Sequence, residues 1–143
     1  MLISTKGRYA LRILIDMAEH QSDSYIPLKD VAARQEISEK YLETIVKLLV
    51  KDGILVGLRG KGGGYQLTKA PEQYTAGSIL RLTEDSLAPV ACLEESADAC
   101  PRMQACRTLP LWKGLDKVIS DYLDNVTLAD LMREEEAGND YVI

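Results

Sequence analysis

The chain has 143 residues, a formal net charge of −5 and a hydrophobic fraction of 46% with no phenylalanine. This length allows one domain with a core of its own, so the fold needs no disulfides, and the aliphatic composition favours helices packed on helices. A net negative charge argues against an anionic partner, but the halves differ: residues 1–70 carry +3 and residues 71–143 carry −8. Only the first half suits such a partner.

The first twenty residues are predicted to form a helix and not an export signal. Basic residues precede an apolar run, but Asp16 and Glu19 interrupt it and no small-residue cleavage site follows. No stretch has the length and hydropathy of a membrane span. We therefore expect a cytoplasmic protein without a membrane partner, in which grouped cysteines bind metal or act in redox chemistry more often than they form structural bridges.

The patterns that follow predict three helices and then a hairpin. Apolar residues recur at helical spacing from 5 to 20, Pro27 opens a short amphipathic helix, and Ser38 is a good N-cap for a helix that stops at Gly53. The segments ILVGL and YQLT are predicted strands on either side of the glycine-rich tip RGKGGG. This is the order of a winged helix-turn-helix, whose helix after the tight turn enters the major groove of DNA.

Beyond the hairpin, the segment TAGSILRLTED predicts a short helix and LPLWKGLDKVISDYLDNV a longer one, after which Thr127 is expected to cap a last turn. The apolar stripe of the longer helix contains Leu111, Leu115, Val118, Ile119 and Tyr122. We predict a mainly α protein: a winged-helix domain with a two-stranded β-hairpin wing (1–83), a cysteine-containing loop (84–107), a long C-terminal helix region (108–132) and an acidic flexible tail (133–143).

The predicted third helix and the wing tip carry the candidate DNA contacts. Lys40 and Lys47 suit phosphate contacts, and Glu43 and Thr44 lie where base edges can be read, Glu43 as an acceptor from the amino group of cytosine. The two cations of RGKGGG can reach phosphates or a narrow minor groove. A solvated helix face and a plain hairpin turn explain each feature taken singly. The order of elements and the local positive charge together favour DNA binding.

Several stretches resemble the Rrf2 family of bacterial winged-helix transcriptional regulators: STKGRYALR, ISEKYLETIVKLLVKDGIL, RGKGGGYQL and three cysteines before LW. The resemblance implies a homodimer on palindromic double-stranded DNA, with most of the subunit contact made by the long C-terminal helix. It also marks Tyr41 as a groove-facing position beside Glu43 and Thr44. The predicted DNA contacts are Ser38, Lys40, Tyr41, Glu43, Thr44, Lys47, Arg59 and Lys61.

All cysteines of the chain, Cys92, Cys100 and Cys106, lie in the polar segment CLEESADACPRMQAC. Thiolates are soft ligands for iron–sulfur clusters and zinc, and gaps of seven and five residues are too wide for the CxxC pairs of structural zinc sites. The spacing favours an iron–sulfur cluster, as in the IscR-like members of the family, of the 2Fe-2S or the 4Fe-4S type. One disulfide with a leftover thiol, or three free cysteines in a divergent loop, are the alternatives.

A fourth ligand is missing from the positions to which the resemblance points. IscR-like members place a histidine three residues after the last cysteine, where this chain has Leu109, and others use a carboxylate near the start of the partner chain, where this chain has Arg8. The candidate replacements within the loop are Glu94, Glu95 and Asp98. A small molecule, solvent or one unprotected iron are the other possibilities.

We expect a transcriptional regulator, not an enzyme, whose DNA binding is controlled by the cluster through the loop and the dimer helix. Its targets are expected to belong to cluster biogenesis or to a response to iron, redox state or nitric oxide. Two alternatives stay open: a metal-free member of the family, of the cysteine-metabolism type, and a cluster-carrying redox protein. The metal-free alternative predicts a colourless protein whose DNA response does not need the cysteines, whereas a cluster protein is coloured.

Overall fold

The computed structural model describes residues 2–133, so the predicted acidic tail (133–143) lies outside the described residues except for Arg133. This part of the chain is mainly helical with one two-stranded antiparallel sheet, as predicted. Its elements are α1 (Thr5–Glu19), α2 (Leu28–Gln35), α3 (Glu39–Lys51), β1 (Leu55–Leu58), β2 (Gly64–Leu67), α4 (Ala76–Thr83), α5 (Leu109–Asp124) and α6 (Leu128–Leu131). Among the described residues, no helix has both the length and the apolar character that crossing a membrane requires.

The first three helices enclose the core. Their apolar residues recur every three or four positions, so each helix turns one side inward. Leu14 of α1, Val31 of α2 and Ile45 of α3 are fully buried, and α6 adds Leu128. Burying a side chain of this kind stabilises the folded state by about 1.5–3 kcal/mol. The helix-turn-helix is therefore held by a core that residues of α4 and α6 complete.

Local signals set the ends of α2 and α3. The Ser38 hydroxyl accepts a hydrogen bond from the backbone N–H of Tyr41 at 3.2 Å, which confirms the predicted N-cap. Glu36 takes the left-handed conformation, with φ +55°, and this lets α3 follow α2 after a tight turn. One detail of the prediction is wrong: Pro27 is the N-cap of α2 and not its first helical residue.

The wing is tied to the loop between α1 and α2. Strands β1 and β2 pair antiparallel, from Leu55 opposite Leu67 to Leu58 opposite Gly64. Ile26 and Tyr65 exchange two backbone hydrogen bonds of 2.9 Å, and a Cβ on Gly64 would lie 2.2 Å from the carbonyl oxygen of Ile26. A glycine is required by this close approach. The wing therefore has a fixed orientation relative to α2 and α3.

After α5 the chain returns to the body of the molecule. The Ala76 N–H donates to the carbonyl of Val126 at 2.7 Å, and the Leu128 N–H donates to the carbonyl of Tyr74 at 2.9 Å. The Thr127 hydroxyl accepts from the Asp130 N–H at 3.1 Å, which confirms the predicted cap of the last turn. The C-terminal end of α5 is therefore held against the start of α4.

Candidate nucleic-acid interface and cysteine loop

The outer face of α3 carries most of the predicted DNA contacts. Lys40, Glu43, Thr44 and Lys47 are exposed, while the opposite side of the helix is buried in the core. The Thr44 hydroxyl donates to the carbonyl of Lys40 at 3.3 Å, so its methyl group and its lone pairs stay available. Ser38, at the N-terminus of α3, is exposed as well. The fold thus presents these five polar side chains to solvent together.

Tyr41 differs from its neighbours because it is half-buried. Its ring meets that of Tyr9 edge to face, with centroids 5.8 Å apart and an angle of 86° between the planes. The guanidinium carbon of Arg12 lies 4.9 Å from the centroid of the Tyr9 ring on the same helix. Such aromatic and cation–π contacts stabilise by about 0.5–1.5 kcal/mol each. Tyr41 therefore helps to fix α3 on α1, whatever else it touches.

A shallow cleft of about 400 Å³ runs between α3, the start of α2 and the wing. Glu43 and Lys47 line it from α3, Gly64 and Tyr65 from the wing, and Lys29 from α2. Sequence reasoning missed Lys29; the only available signal was its place in the first turn of the predicted helix that Pro27 opens. At the wing tip, the side chains of Arg59 and Lys61 are exposed.

A buried carboxylate, Asp16, joins α1 to α2, a role that no local pattern in the sequence indicates. Asp16 is 2% exposed and accepts hydrogen bonds from Arg34 Nη2 at 2.7 Å, Arg34 Nε at 3.0 Å and Gln35 Nε2 at 2.9 Å. The hydrogen bonds that Arg34 donates to the Asp16 carboxylate raise the pKa of Arg34 above its ordinary value. Two-pronged pairing of this kind fixes direction as well as distance. It therefore sets the angle at which α2 packs on α1.

The cysteine loop connects α4 to α5 and contains one short 3-10 turn, Ala91–Leu93. Cys92, Cys100 and Cys106 are half-buried free thiols, and none forms a disulfide in the described part of the chain. Cys106 Sγ lies 3.5 Å from Thr108 Oγ1, and hydrogen bonding to the Thr108 side chain and backbone lowers the pKa of this thiol. A lower pKa favours the thiolate, which is the form that binds metal.

The donor set fits an iron–sulfur cluster in its chemistry, although the loop does not hold it as a ready-made site. Within residues 2–133, no three histidine, cysteine, aspartate or glutamate side chains lie close enough together to hold a metal ion. Glu94 and Glu95 instead line a second cleft, of about 400 Å³, that Asp116 and Ser120 of α5 border on its other side. Asp98 is exposed. The identity of the fourth ligand stays a prediction.

Helix α5 turns an apolar stripe to solvent. Leu111 is 61%, Val118 65% and Tyr122 69% exposed, and Leu115 extends the same stripe. Ile119, which the sequence placed on this stripe, is half-buried and follows Leu115 by one helical turn at the edge of the stripe. All residues of Leu109–Asp124 are described and none is buried. Contiguous exposed apolar surface of this kind marks a contact surface in soluble proteins.

Comparisons with known proteins agree on one class. A family model named Rrf2, described as an iron-dependent transcriptional regulator, matches residues 3–134. The protein rrf2 of Nitratidesulfovibrio vulgaris is 41% identical over 134 residues, which cover 94% of this chain and 89% of that protein. The HTH-type transcriptional regulator IscR of Erwinia tasmaniensis is 37% identical over 136 residues, which cover 95% of this chain and 81% of that protein.

A solved structure shows the same architecture. The structure of CymR, the global cysteine regulator of B. subtilis, is similar to this chain with a TM-score of 0.75 and 36% identity. The similarity covers 92% of this chain and 95% of that one. It confirms the predicted winged fold with its helical extension.

Proposed function

The chain belongs to the Rrf2 family and is a DNA-binding transcriptional regulator, and from this premise we propose that it binds a palindromic operator as a homodimer under the control of an iron–sulfur cluster on Cys92, Cys100 and Cys106. Its named relatives are regulators and not enzymes, which also argues against the redox-protein alternative. The observation that carries the proposal is the shared exposed face of α3 and the wing.

We propose that α3 enters the major groove and that the wing contacts the flanking backbone. Lys40 and Lys47 are assigned to phosphates, which orient the protein but carry no sequence information. Arg59 and Lys61 are assigned to phosphates or the minor groove beside the wing. The cleft between α3 and the wing supports this assignment, because Lys47 and the backbone of Gly64 lie on its two walls.

Glu43 is assigned to sequence discrimination. It lies exposed on the wall of the cleft between Glu39 and Lys47, where a carboxylate can accept hydrogen bonds from cytosine amino groups. At a site without cytosine the same carboxylate stays unpaired against negatively charged DNA. Glu43 therefore rejects wrong sequences as much as it favours right ones. Thr44, one residue on, is assigned to contact an adjacent base.

The α5 stripe is the proposed dimer contact. Leu111, Leu115, Val118 and Tyr122 are spaced as i, i+4, i+7 and i+11, so two copies can pack along one seam about a twofold axis. Burial of these four side chains supplies the apolar centre that a stable interface needs. Two recognition helices related by such an axis read half-sites about 34–36 Å apart on one side of the DNA.

The cysteine loop is placed where it can influence α5. Cys106 is three residues before Leu109, the first residue of α5, and Leu93 lines the same cleft as Asp116 and Ser120. When bound, an iron–sulfur cluster supplies a reversible crosslink among thiolates that responds to iron and oxidants. Holding Cys92 and Cys106 together restricts the loop at both of its contacts with α5. The loop then biases the pose of the dimer helix.

DNA binding is tested with an operator selected from randomised duplexes. We expect Lys47→Ala to weaken binding to all sequences alike and to reduce the salt slope by about 0.9, the value of one phosphate contact. Lys113→Ala, at an exposed position on α5, is the matched control and should change neither. Glu43→Gln should lower discrimination at a cytosine by about 1–3 kcal/mol. A salt slope unchanged by Lys47→Ala would contradict the docking.

The cluster is tested by anaerobic purification with iron and sulfide analysis and with visible and resonance Raman spectra. We expect coloured protein in which Cys92→Ala, Cys100→Ala and Cys106→Ala each lower the iron content. The spectra also separate the two-iron from the four-iron type. Single alanine substitutions of Glu94, Glu95 and Asp98 test the candidate fourth ligands, and the one whose loss alters the spectrum is the ligand.

A metal-free regulator is the second candidate, and one observation favours it. The chain is similar over most of its length to CymR, a cysteine regulator. This candidate predicts colourless, iron-free protein from iron-replete cells. It also predicts an unchanged DNA response after all three cysteines are replaced by alanine. Either result would overturn the cluster while leaving the operator assay intact.

A further inference from the structure

A charged pair joins the dimer helix to the winged-helix body. Asp124, the last residue of α5, accepts from Arg81 Nη1 at 2.5 Å and from Arg81 Nη2 at 3.0 Å, so the two side chains meet as parallel forks. Arg81 lies in α4. Both side chains are a little under half exposed, which limits the energy of the pair but not its directionality.

Gly77 makes this approach possible. A Cβ at this position would lie 2.2 Å from Asp124 Oδ1 and 3.0 Å from Arg81 Nη1. Gly77 lies in the first turn of α4, where glycine is a poorer helix former than alanine, and the close approach of Asp124 gives a reason for its presence. Since the crowded atoms belong to side-chain ends, alanine there would displace the carboxylate without preventing folding.

The pair holds α5 at its C-terminal end, so it can set the orientation of the whole helix. Beside it, the Ala76 N–H donates to the carbonyl of Val126, so the C-terminal end of α5 is held at two points. No residue of α5, all of which are described, is buried. A helix of 16 residues is about 24 Å long, and a small rotation at one end becomes a large displacement at the other.

We infer that Gly77, Arg81 and Asp124 form a latch that sets the angle between the dimer helix and the winged-helix body, and thereby the half-site spacing that the dimer accepts. This rests on the proposed homodimer. If α5 of each protomer packs on its partner, the angle at the latch fixes the distance between the two α3 helices. The three residues touch no DNA and act as positioning residues.

The test uses a series of palindromes whose half-sites are moved apart or together one base pair at a time. Asp124→Asn keeps the size of the side chain and removes its charge, and Gly77→Ala displaces the carboxylate by crowding. Asp121→Asn is the matched control, because Asp121 pairs with Lys117 within α5 and does not join α5 to another element. Sedimentation equilibrium verifies that each variant is a dimer, and circular dichroism that it is folded.

We expect wild type and Asp121→Asn to share one sharply preferred spacing. For Asp124→Asn and Gly77→Ala, the ratio of affinities between the preferred spacing and its neighbours should fall about two- to fivefold. Their affinity for a single half-site should not change. The exchange Arg81→Asp with Asp124→Arg should restore part of the lost ratio. Folded dimers of both latch variants with the wild-type spacing profile would overturn the latch alone. A wild-type protein that selects no palindrome would overturn the proposed dimeric regulator instead.

Discussion

Residues 5–83 bury a continuous apolar core, whereas none of residues 84–127 is buried, although the structure describes both stretches completely. The first stretch presents the proposed DNA-facing surface on a scaffold whose core needs only Leu128 of α6 besides its own side chains. The second stretch contains the three cysteines and the exposed apolar stripe of α5, the groups to which the proposal assigns a cluster and a second subunit. The comparison therefore predicts that substitutions in the first stretch act on folding and those in the second on assembly.

The same substitution in the two regions gives the largest expected contrast. Leu14→Ala removes a fully buried side chain of α1 and should lower the free energy of unfolding by about 2–5 kcal/mol. Leu111→Ala alters a side chain that is 61% exposed and should cost less than about 0.5 kcal/mol in dilute solution. Urea unfolding at several protein concentrations measures both, since a cost of Leu111→Ala that grows with concentration reports the dimer.

A charge on the α5 stripe should break the dimer and spare the body. Val118→Glu replaces a side chain that is 65% exposed and would face its own copy across a twofold axis. We expect dimerisation to weaken at least about 100-fold, because both subunits carry the substitution and each loses the burial of one apolar side chain. Sedimentation equilibrium measures this loss. Lys113→Glu, on the far side of α5, serves as the control, and equal weakening by both variants would contradict the assigned face.

A substitution at Ser4, where α1 meets the start of the cysteine loop, should have a smaller effect on stability. The Ser4 hydroxyl accepts from the Gly7 N–H at 3.0 Å as the N-cap of α1 and donates to Glu84 Oε2 at 2.6 Å, which joins α1 to the start of the cysteine loop. Ser4→Ala should lower the free energy of unfolding by about 1 kcal/mol. Ser24→Ala, in the exposed loop after α1, is the control. An unchanged unfolding midpoint for Ser4→Ala would contradict the stabilising contact that Ser4 makes between α1 and the cysteine loop.

Features that depend on neighbours in sequence could be predicted, and features that depend on distant contacts could not. The caps at Ser38 and Thr127, the hairpin and the outward face of α3 follow from neighbours in sequence, because periodicity and capping are local. The partner of Asp16 lies 18 residues away on α2, and no spacing rule reveals it. Ile119 is half-buried at the edge of the exposed stripe, and no spacing rule shows which apolar residues of α5 the body covers, because only packing decides that.

The smallest expected effect lies at the latch, where pH tests the ion pair without moving the core. The hydrogen bond from Arg81 lowers the pKa of Asp124 below its ordinary value of 3.8. The pair therefore stabilises the fold above the unfolded pKa, near 3.9, and this contribution is lost as the pH falls through the lower folded pKa. Because both side chains are partly exposed, the contribution is below about 1 kcal/mol. The difference in unfolding free energy between wild type and Asp124→Asn should be constant from pH 7 to 5 and should shrink as the pH falls through the lowered folded pKa of Asp124. In an Arg81→Gln background the same difference should be absent at every pH, and a difference that persists there would assign the effect to Asp124 alone.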